Sequence, residues 1–229
     1  REGFQQGNSY GAPYRYNERT WADDMEWGAA ALFKATGDKK YLNDALHYAD
    51  LIGFTSWMEM DSAAHYEMYP YVNMGHYALW QVVNDKNIRN KLADYYKHNL
   101  LRIQEKAEKN AYKVGHLFIW CSNNLAAAVA TQALLYEQMT GDVQFRPLLQ
   151  NHLNWLFGLN PWGTSMITGI PANGEYPLDE HMPFWILNKQ VVPGSLVDGP
   201  LWSSIHDKML AIRLNEPDEF AHLQPNHIK

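Results

Sequence analysis

The densest group of carboxylates in this chain is Asp23, Asp24 and Glu26, at the head of a segment with helical apolar spacing. Acids there are favoured by the positive end of the helix macrodipole; carboxyl groups held near one another are also what proton donation and water activation require. A second concentration is Asn160 to Pro200, a Gly- and Pro-punctuated stretch with aromatics, one His and no helical period. Loops of that length usually bind or catalyse. The third signal is the ring content, 14% aromatic with nine Trp and fourteen Tyr. Flat rings stack on the apolar faces of pyranose sugars while their polar edges bond to hydroxyls. Rings also fill helical cores, so each is weighed by position: Trp27 and Trp155 fall within helical periods and read as core.

Other chemistries are poorly supplied. The ten His show no H-E-x-x-H or comparable ligand spacing, and there is no Gly-rich phosphate loop and no G-x-S-x-G elbow. The single Cys121 can form no internal disulfide. Between Trp120 and Ser122, at a helix start, it reads as a small, partly buried residue and not a nucleophile. A net charge of −6 with 19 Lys and Arg, none clustered on a long basic face, argues against nucleic acid or an acidic membrane surface as partner. Lys106, Lys109 and Lys113 are interleaved with Glu105 and Glu108 and read as a solvated helix end. No apolar run approaches the ~18 residues of a membrane span. The N-terminus carries neither an initiating Met nor a signal-like segment, so either a targeting segment has been removed or the chain starts inside a longer one.

Positioning these residues falls to helices. After a loop-like opening over Arg1 to Arg19, Trp21, Met25, Ala29 and Leu32 recur at helical spacing and predict a helix ending near Thr36. Gly37 is its stop and Asp38 the N-cap of the next, in which Leu42, Ala45, Leu46, Ala49 and Ile52 line one face. The same device returns at Thr140, Gly141, Asp142 and Phe145, with Pro147 in a first helical turn. It follows a helix over Asn123 to Met139 whose stripe is Ala126, Val129, Ala133 and Tyr136, and it leads to Leu149, Leu153 and Leu156. Between the two copies, Asn73 to Val83 and Asp85 to Asn110 read as another pair, and Leu201 to Leu214 as a last helix. No stretch sustains strand alternation. The chain is therefore all-α, and recurring tight helical hairpins suggest a solenoid or a closed α/α toroid.

Three runs in order resemble glycoside hydrolase family 9, the inverting cellulase family: WADDMEWGAAALFKATGDKKYL (Trp21 to Leu42), FIWCSNN (Phe118 to Asn124), and the loop bearing Asn160, Pro161, Gly163, Ser165, Ile167, Thr168, Gly169 and His181. The resemblance spans Trp21 to about Pro200. It implies an (α/α)6 barrel, with residues 1–229 forming part of one glycoside hydrolase catalytic domain. Twelve helices of roughly 15 to 20 residues plus connections need well over ~300 residues; seven or eight are legible here, a little over half a barrel.

The resemblance further implies a parent enzyme that hydrolyses β-1,4-glucan or a related β-glycan with inversion, secreted or periplasmic, with a β-linked oligo- or polysaccharide as its partner. His181 falls where the family's sugar-binding His lies, although Pro183 stands for its Arg two residues on and Pro171 for a Gly. Trp120 and Trp162 are the stacking candidates. Inversion needs two carboxyl groups about 6.5–9.5 Å apart, and the family segments that bear them are not recognisable here. Glu216, in Asn215-Glu216-Pro217, is the one candidate acid, against a first-turn helix residue favoured by the dipole. No cofactor is implied. Asp23 and Asp24 match calcium ligands of some members, weakened by Arg19-Thr20 in place of Ser-Gly. One alternative is a non-catalytic helical module that binds glycans or a protein; another is a different (α/α)6 enzyme, such as a uronyl hydrolase or lyase, which would need carboxylate or Tyr/His chemistry inside these residues. A half-barrel would leave apolar helix faces open, so the missing domain segments or self-association are expected to cover them.

Overall fold

The computed structural model describes residues 21–54, 56, 58, 71–178 and 183–203. It holds α1 (Ala22–Thr36), α2 (Lys39–Ile52), α3 (Tyr71–Val82), α4 (Lys86–Ala107), α5 (Ser122–Thr140), α6 (Arg146–Leu156) and the short α7 (Pro183–Asn188). Among the described residues there is no strand, only an isolated antiparallel bridge between Ile167 and Leu196. The first six helices form three hairpins. Gly37 and Asp38 join α1 to α2, residues 83–85 join α3 to α4, and residues 141–145 join α5 to α6.

The turn chemistry repeats as the sequence predicts. Gly37 and Gly141 both adopt left-handed backbone, with φ of 71° and 74°, and return their N–H groups to Phe33 and Glu137 carbonyls. Thr36 and Thr140 each donate a hydroxyl to the carbonyl four residues back and accept the N–H of the Asp two residues on. The copies then diverge. Asp38 caps α2 directly through Lys40 N–H at 2.9 Å. Asp142 accepts Gln144 N–H in the same way, but Pro147 moves the helix start to Arg146. Proline at a first helical turn lacks only an N–H that no intrahelical carbonyl would have used. Asp85 caps α4 by accepting from Asn87 and Ile88 N–H.

α1 packs on α2 and α3, and α5 packs on α4 and α6. α1 meets α3 through Glu26 and His76, and α3 meets α5 through Asn73 with Gln132 and, one turn on, Tyr77 with Gln138. α3 and α5 therefore run in parallel, so the turns at 83–85 and 141–145 share one end and the loop after α6 leaves from the other. α5 is wrapped almost completely: Leu125, Ala126, Val129, Ala133 and Tyr136 are buried, and so are Ala128, Ala130 and Leu135 on its other faces. A helix apolar all round belongs inside its protein.

Two expectations for α1 fail. Of the stripe Trp21, Met25, Ala29 and Leu32 only Ala29 is buried, Met25 and Leu32 being 40% and 46% exposed, and Trp27, read as core, is 38% exposed. The buried face is Asp23, Glu26, Ala29 and Ala30. Small side chains there allow α2 and α3 to approach, and Glu26 is neutralised by a partner on α3, so the face chosen is the one its neighbours fit and not the one with most apolar area. The long loop also holds α7, which its composition does not signal. The helix expected over Leu201 to Leu214 lies outside the described residues beyond position 203.

Candidate functional site

At the connector end, the loop after α6 is tied down by its own polar residues. Asn160, 5% exposed, donates its side-chain amide to the Trp155 and Thr164 carbonyls at 2.9 and 2.8 Å and accepts Trp162 and Thr164 N–H groups. Fully buried Thr168 donates its hydroxyl to the Val192 carbonyl and accepts Ser195 N–H at 3.2 Å. Backbone bonds from Thr168 to Ser195 and from Gly194 to Thr168 lay 165–169 against 192–197, and Met166 N–H binds the Leu156 carbonyl at the end of α6. Ser165 accepts Ile167 N–H. These residues are braces: their polar groups are spent inside the loop and not offered to a ligand.

The returning arm of that loop then clasps the start of α5. Cys121, at the N-cap, has φ 60° and contributes no side-chain capping bond. Instead the Asp198 carbonyl accepts Asn123 N–H at 3.0 Å, Asn123 Nδ2 donates to Val197 at 2.9 Å and Ser122 Oγ to Pro200 at 2.6 Å. Gly199, at φ 92°, lies so close that a Cβ would sit 2.5 Å from Asn123 Cγ. Only glycine combines that backbone with that contact. The clasp brings the Asp198 carboxylate beside the Cys121 thiol, a juxtaposition between residues 77 positions apart that the sequence does not reveal. Burial first, and Asp198 second, push the thiol up to about 12, so it is no nucleophile near neutral pH.

On this scaffold Trp162 is 46% exposed and rests edge-on against buried Trp155, with ring centroids 6.0 Å apart at 84°. Trp155 itself is core, as its period predicts, and Phe118, Tyr112 and His116 ring it at 5.3 to 5.6 Å. Trp120 is half-buried in the turn into α5. His181 and Glu216 lie outside the described residues.

His116 and His152, 5.4 Å apart, are buried beneath this surface. Desolvation holds His152 down to about 4, against the raising effect of its bond to the Leu148 carbonyl. Burial, then His152, lowers His116 well below the usual range. Both are neutral imidazoles at physiological pH.

Asp23 and Asp24, the calcium candidates, differ in their surroundings. Asp23 is buried and Asp24 is exposed, as adjacent helical residues about 100° apart must be when one faces the core. Among the described residues no group of three or more His, Cys, Asp or Glu could hold a metal. Burial, then Asp23, raises the Asp24 carboxyl. Glu26 is a helix-dipole acid only by position: it is fully buried and its Oε1 lies 2.9 Å from His76 Nδ1. The i, i+3 spacing of Asp23 and Glu26 on the Ala30 face is the signal that could have found it.

Comparison with known proteins follows the same lines. The family model described as glycosyl hydrolase family 9 matches residues 2–221. A metagenome-derived glycoside hydrolase family 9 endoglucanase superposes with a TM-score of 0.65 at 23% identity, over 82% of this chain and 33% of its own. The cellulase Cel9M of C. cellulolyticum gives 0.59 at 19%, over 85% and 44%. The same cellulase in complex with cellobiose gives 0.51 at 16%, over 85% and 46%. The chain thus spans a third to somewhat under half the length of these structures, and its hairpins are part of an (α/α)6 toroid.

Proposed function

The chain belongs to glycosyl hydrolase family 9, its match running over residues 2–221, and from that premise we propose that it is the central and C-terminal part of the catalytic domain of an enzyme hydrolysing β-1,4-glucan, or a related β-glycan, with inversion. The observation that carries this reading is the braced loop. Its family-like residues Asn160, Ser165 and Thr168 are intact, buried and fully engaged, and they hold Trp162 with its ring open to solvent. An exposed indole fixed by a buried one is a rigid platform for a pyranose face.

In this reading Trp162 and Trp120 stack sugars and His181 donates to a hydroxyl beside the scissile bond. The two carboxyl groups, about 6.5–9.5 Å apart, come from outside the described residues. Glu26 is committed to His76 and Asp23 is buried, which supports that assignment. The exposed Met25, Trp27 and Leu32 on α1 are the surface on which the remaining toroid segments, or a second copy, would rest. A polymeric substrate is met outside the cytoplasm, so the reading carries a secreted or periplasmic location with it. No helix among the described residues is long and apolar enough to cross a membrane.

The test is reducing-end release from cellohexaose and from chitosan oligosaccharides, by this chain alone and by a version extended at both ends. Release from cellohexaose only by the extended version supports a site split beyond the chain. Release by the short chain overturns that account, and binding without hydrolysis in both favours a non-catalytic glycan-binding module.

A further inference from the structure

At the tight-turn end, opposite the braced loop, a cavity of about 340 Å³ opens between the last turns of α3 and α5 and the first turns of α4. Its lining includes Trp80, Asn84, Lys86, Arg89, Asn90 and Thr140. In a chain of net charge −6, this lining holds two cations and no carboxylate. The Arg89 guanidinium lies 3.8 Å from the Trp80 ring centroid, which fixes its plane and leaves its N–H groups without a hydrogen bond or ion pair among the described residues. Lys86 is exposed at the same rim.

The nearby acids do not line the cavity: Asp94 is exposed on α4 beside Ala93, and three others hold partners elsewhere. Asp85 accepts from the N–H groups of its own helix, Glu137 binds Arg146 through both oxygens, and Asp142 accepts from Tyr136 and Gln144. Among the described residues no carboxylate forms an ion pair with either cation. A planar guanidinium whose face is covered and whose edge is free is the geometry that takes a carboxylate through two parallel hydrogen bonds. The volume falls in the range of roughly 300–1,000 Å³ usual for small organic ligands, larger than a bare ion needs. Asn84 and Asn90 add amide donors and acceptors of the kind that bond hydroxyls.

We propose that this cavity binds a carboxylate-bearing sugar of monosaccharide to disaccharide size, a uronic acid, with Arg89 gripping the carboxylate, Lys86 adding charge and the two Asn side chains reading hydroxyls. The site is independent of the hydrolytic reading: it lies at the other end of the helices and uses none of the residues assigned there.

The experiment is calorimetric titration of the protein with glucuronate, glucose and inorganic phosphate at two salt concentrations, with the Trp80 indole NMR signal, assigned by Trp80→Phe, as the local reporter. Glucuronate is expected to bind at millimolar affinity or better, more weakly at high salt, shifting the Trp80 signal, while glucose and phosphate bind at least tenfold more weakly. Arg89→Gln should weaken glucuronate at least tenfold and Arg89→Lys nearly as much, because the ammonium keeps the charge and loses the fork. Lys86→Gln, at an exposed position, should weaken it severalfold without changing the melting temperature. Absence of glucuronate binding, equal affinity for glucose or phosphate, or unchanged affinity in both Arg89→Gln and Lys86→Gln overturns the proposal.

Discussion

His76 Nδ1 lies 2.9 Å from Glu26 Oε1, both side chains are fully buried, and His76 Nε2 lies 2.7 Å from the Gly53 carbonyl oxygen. A carbonyl only accepts, so Nε2 carries a proton; a second proton must then sit between Nδ1 and Oε1 for that contact to be a hydrogen bond. The pair joins α1 to α3 and fixes the end of α2. Tyr95 lies over the imidazole, centroids 4.9 Å apart, and Asp23, Asp50 and Tyr96 complete the titratable surroundings.

Stability should fall as pH rises above the ordinary carboxyl range. Burial is the largest influence on Glu26 and raises its carboxyl, with His76 opposing it. A folded value above the unfolded one means stability is fully present below about 4.5 and is lost as pH climbs through the folded value. Glu26→Gln, which can still donate to Nδ1, should remove this dependence. Glu26→Ala should cost on the order of 3 kcal/mol by leaving a buried imidazole nitrogen unpaired. Denaturant melts of the three proteins between pH 4 and 8 check both, and parallel pH profiles for wild type and Glu26→Gln would contradict the assignment.

The buried imidazoles act in the opposite sense at lower pH. His152 is held down to about 4 and His116 also lies low. The stability they contribute is complete above the unfolded value near 6.5 and drains away as pH falls towards the folded one. For His152 the loss approaches on the order of 3 kcal/mol at full protonation. NMR titration should show the His152 ring still neutral at pH 5 and the His116 ring titrating below the ordinary imidazole range, and either ring titrating above pH 6 would sink the prediction.

Glycines divide by what a methyl would meet. A Cβ on Gly75 would come 2.8 Å from Glu26 Oε2, and one on Gly115 would come 2.1 Å from the Ile103 carbonyl oxygen. Gly75→Ala should cost about 1–3 kcal/mol and Gly115→Ala more, since backbone cannot swing aside. Gly28, helical with nothing within 4 Å, should gain from Ala by about 0.4–1 kcal/mol. Thermal melts of the three variants give the ranking, and a stabilised Gly115→Ala would contradict it.

Trp162 and Trp155 touch, yet their removal should read out differently. Trp155→Ala, in the core, should cost about 3–5 kcal/mol. Trp162→Ala should leave the melting temperature nearly unchanged, within about 0.5 kcal/mol, and weaken binding of β-linked oligosaccharides several-fold. Equal affinity in the Trp162 variant, measured by titration with cellohexaose, would remove Trp162 from the binding surface.

Most helices and their turns are written locally. The pairs Gly37-Asp38 and Gly141-Asp142 announce their hairpins because a left-handed glycine and a carboxylate that accepts N–H groups act within a few residues. The loop's brace was legible as a run of residue types, Asn160 to Gly169. Its function as a brace was not, because the partners of Thr168 and of the α5 start stand at 192–200.

What the tertiary structure alone decided is which face and which acid. In α1 the sequence offers an apolar stripe of Trp21, Met25, Ala29 and Leu32 and a face carrying Asp23 and Glu26; the second is buried, and of the first only Ala29 is. The cost of burying a carboxyl depends on whether an imidazole meets it, and that imidazole lies 50 positions away on α3. Helical periodicity therefore determined that α1 is a helix and where it stops, whereas the direction it faces followed from which neighbours could approach closely and satisfy it.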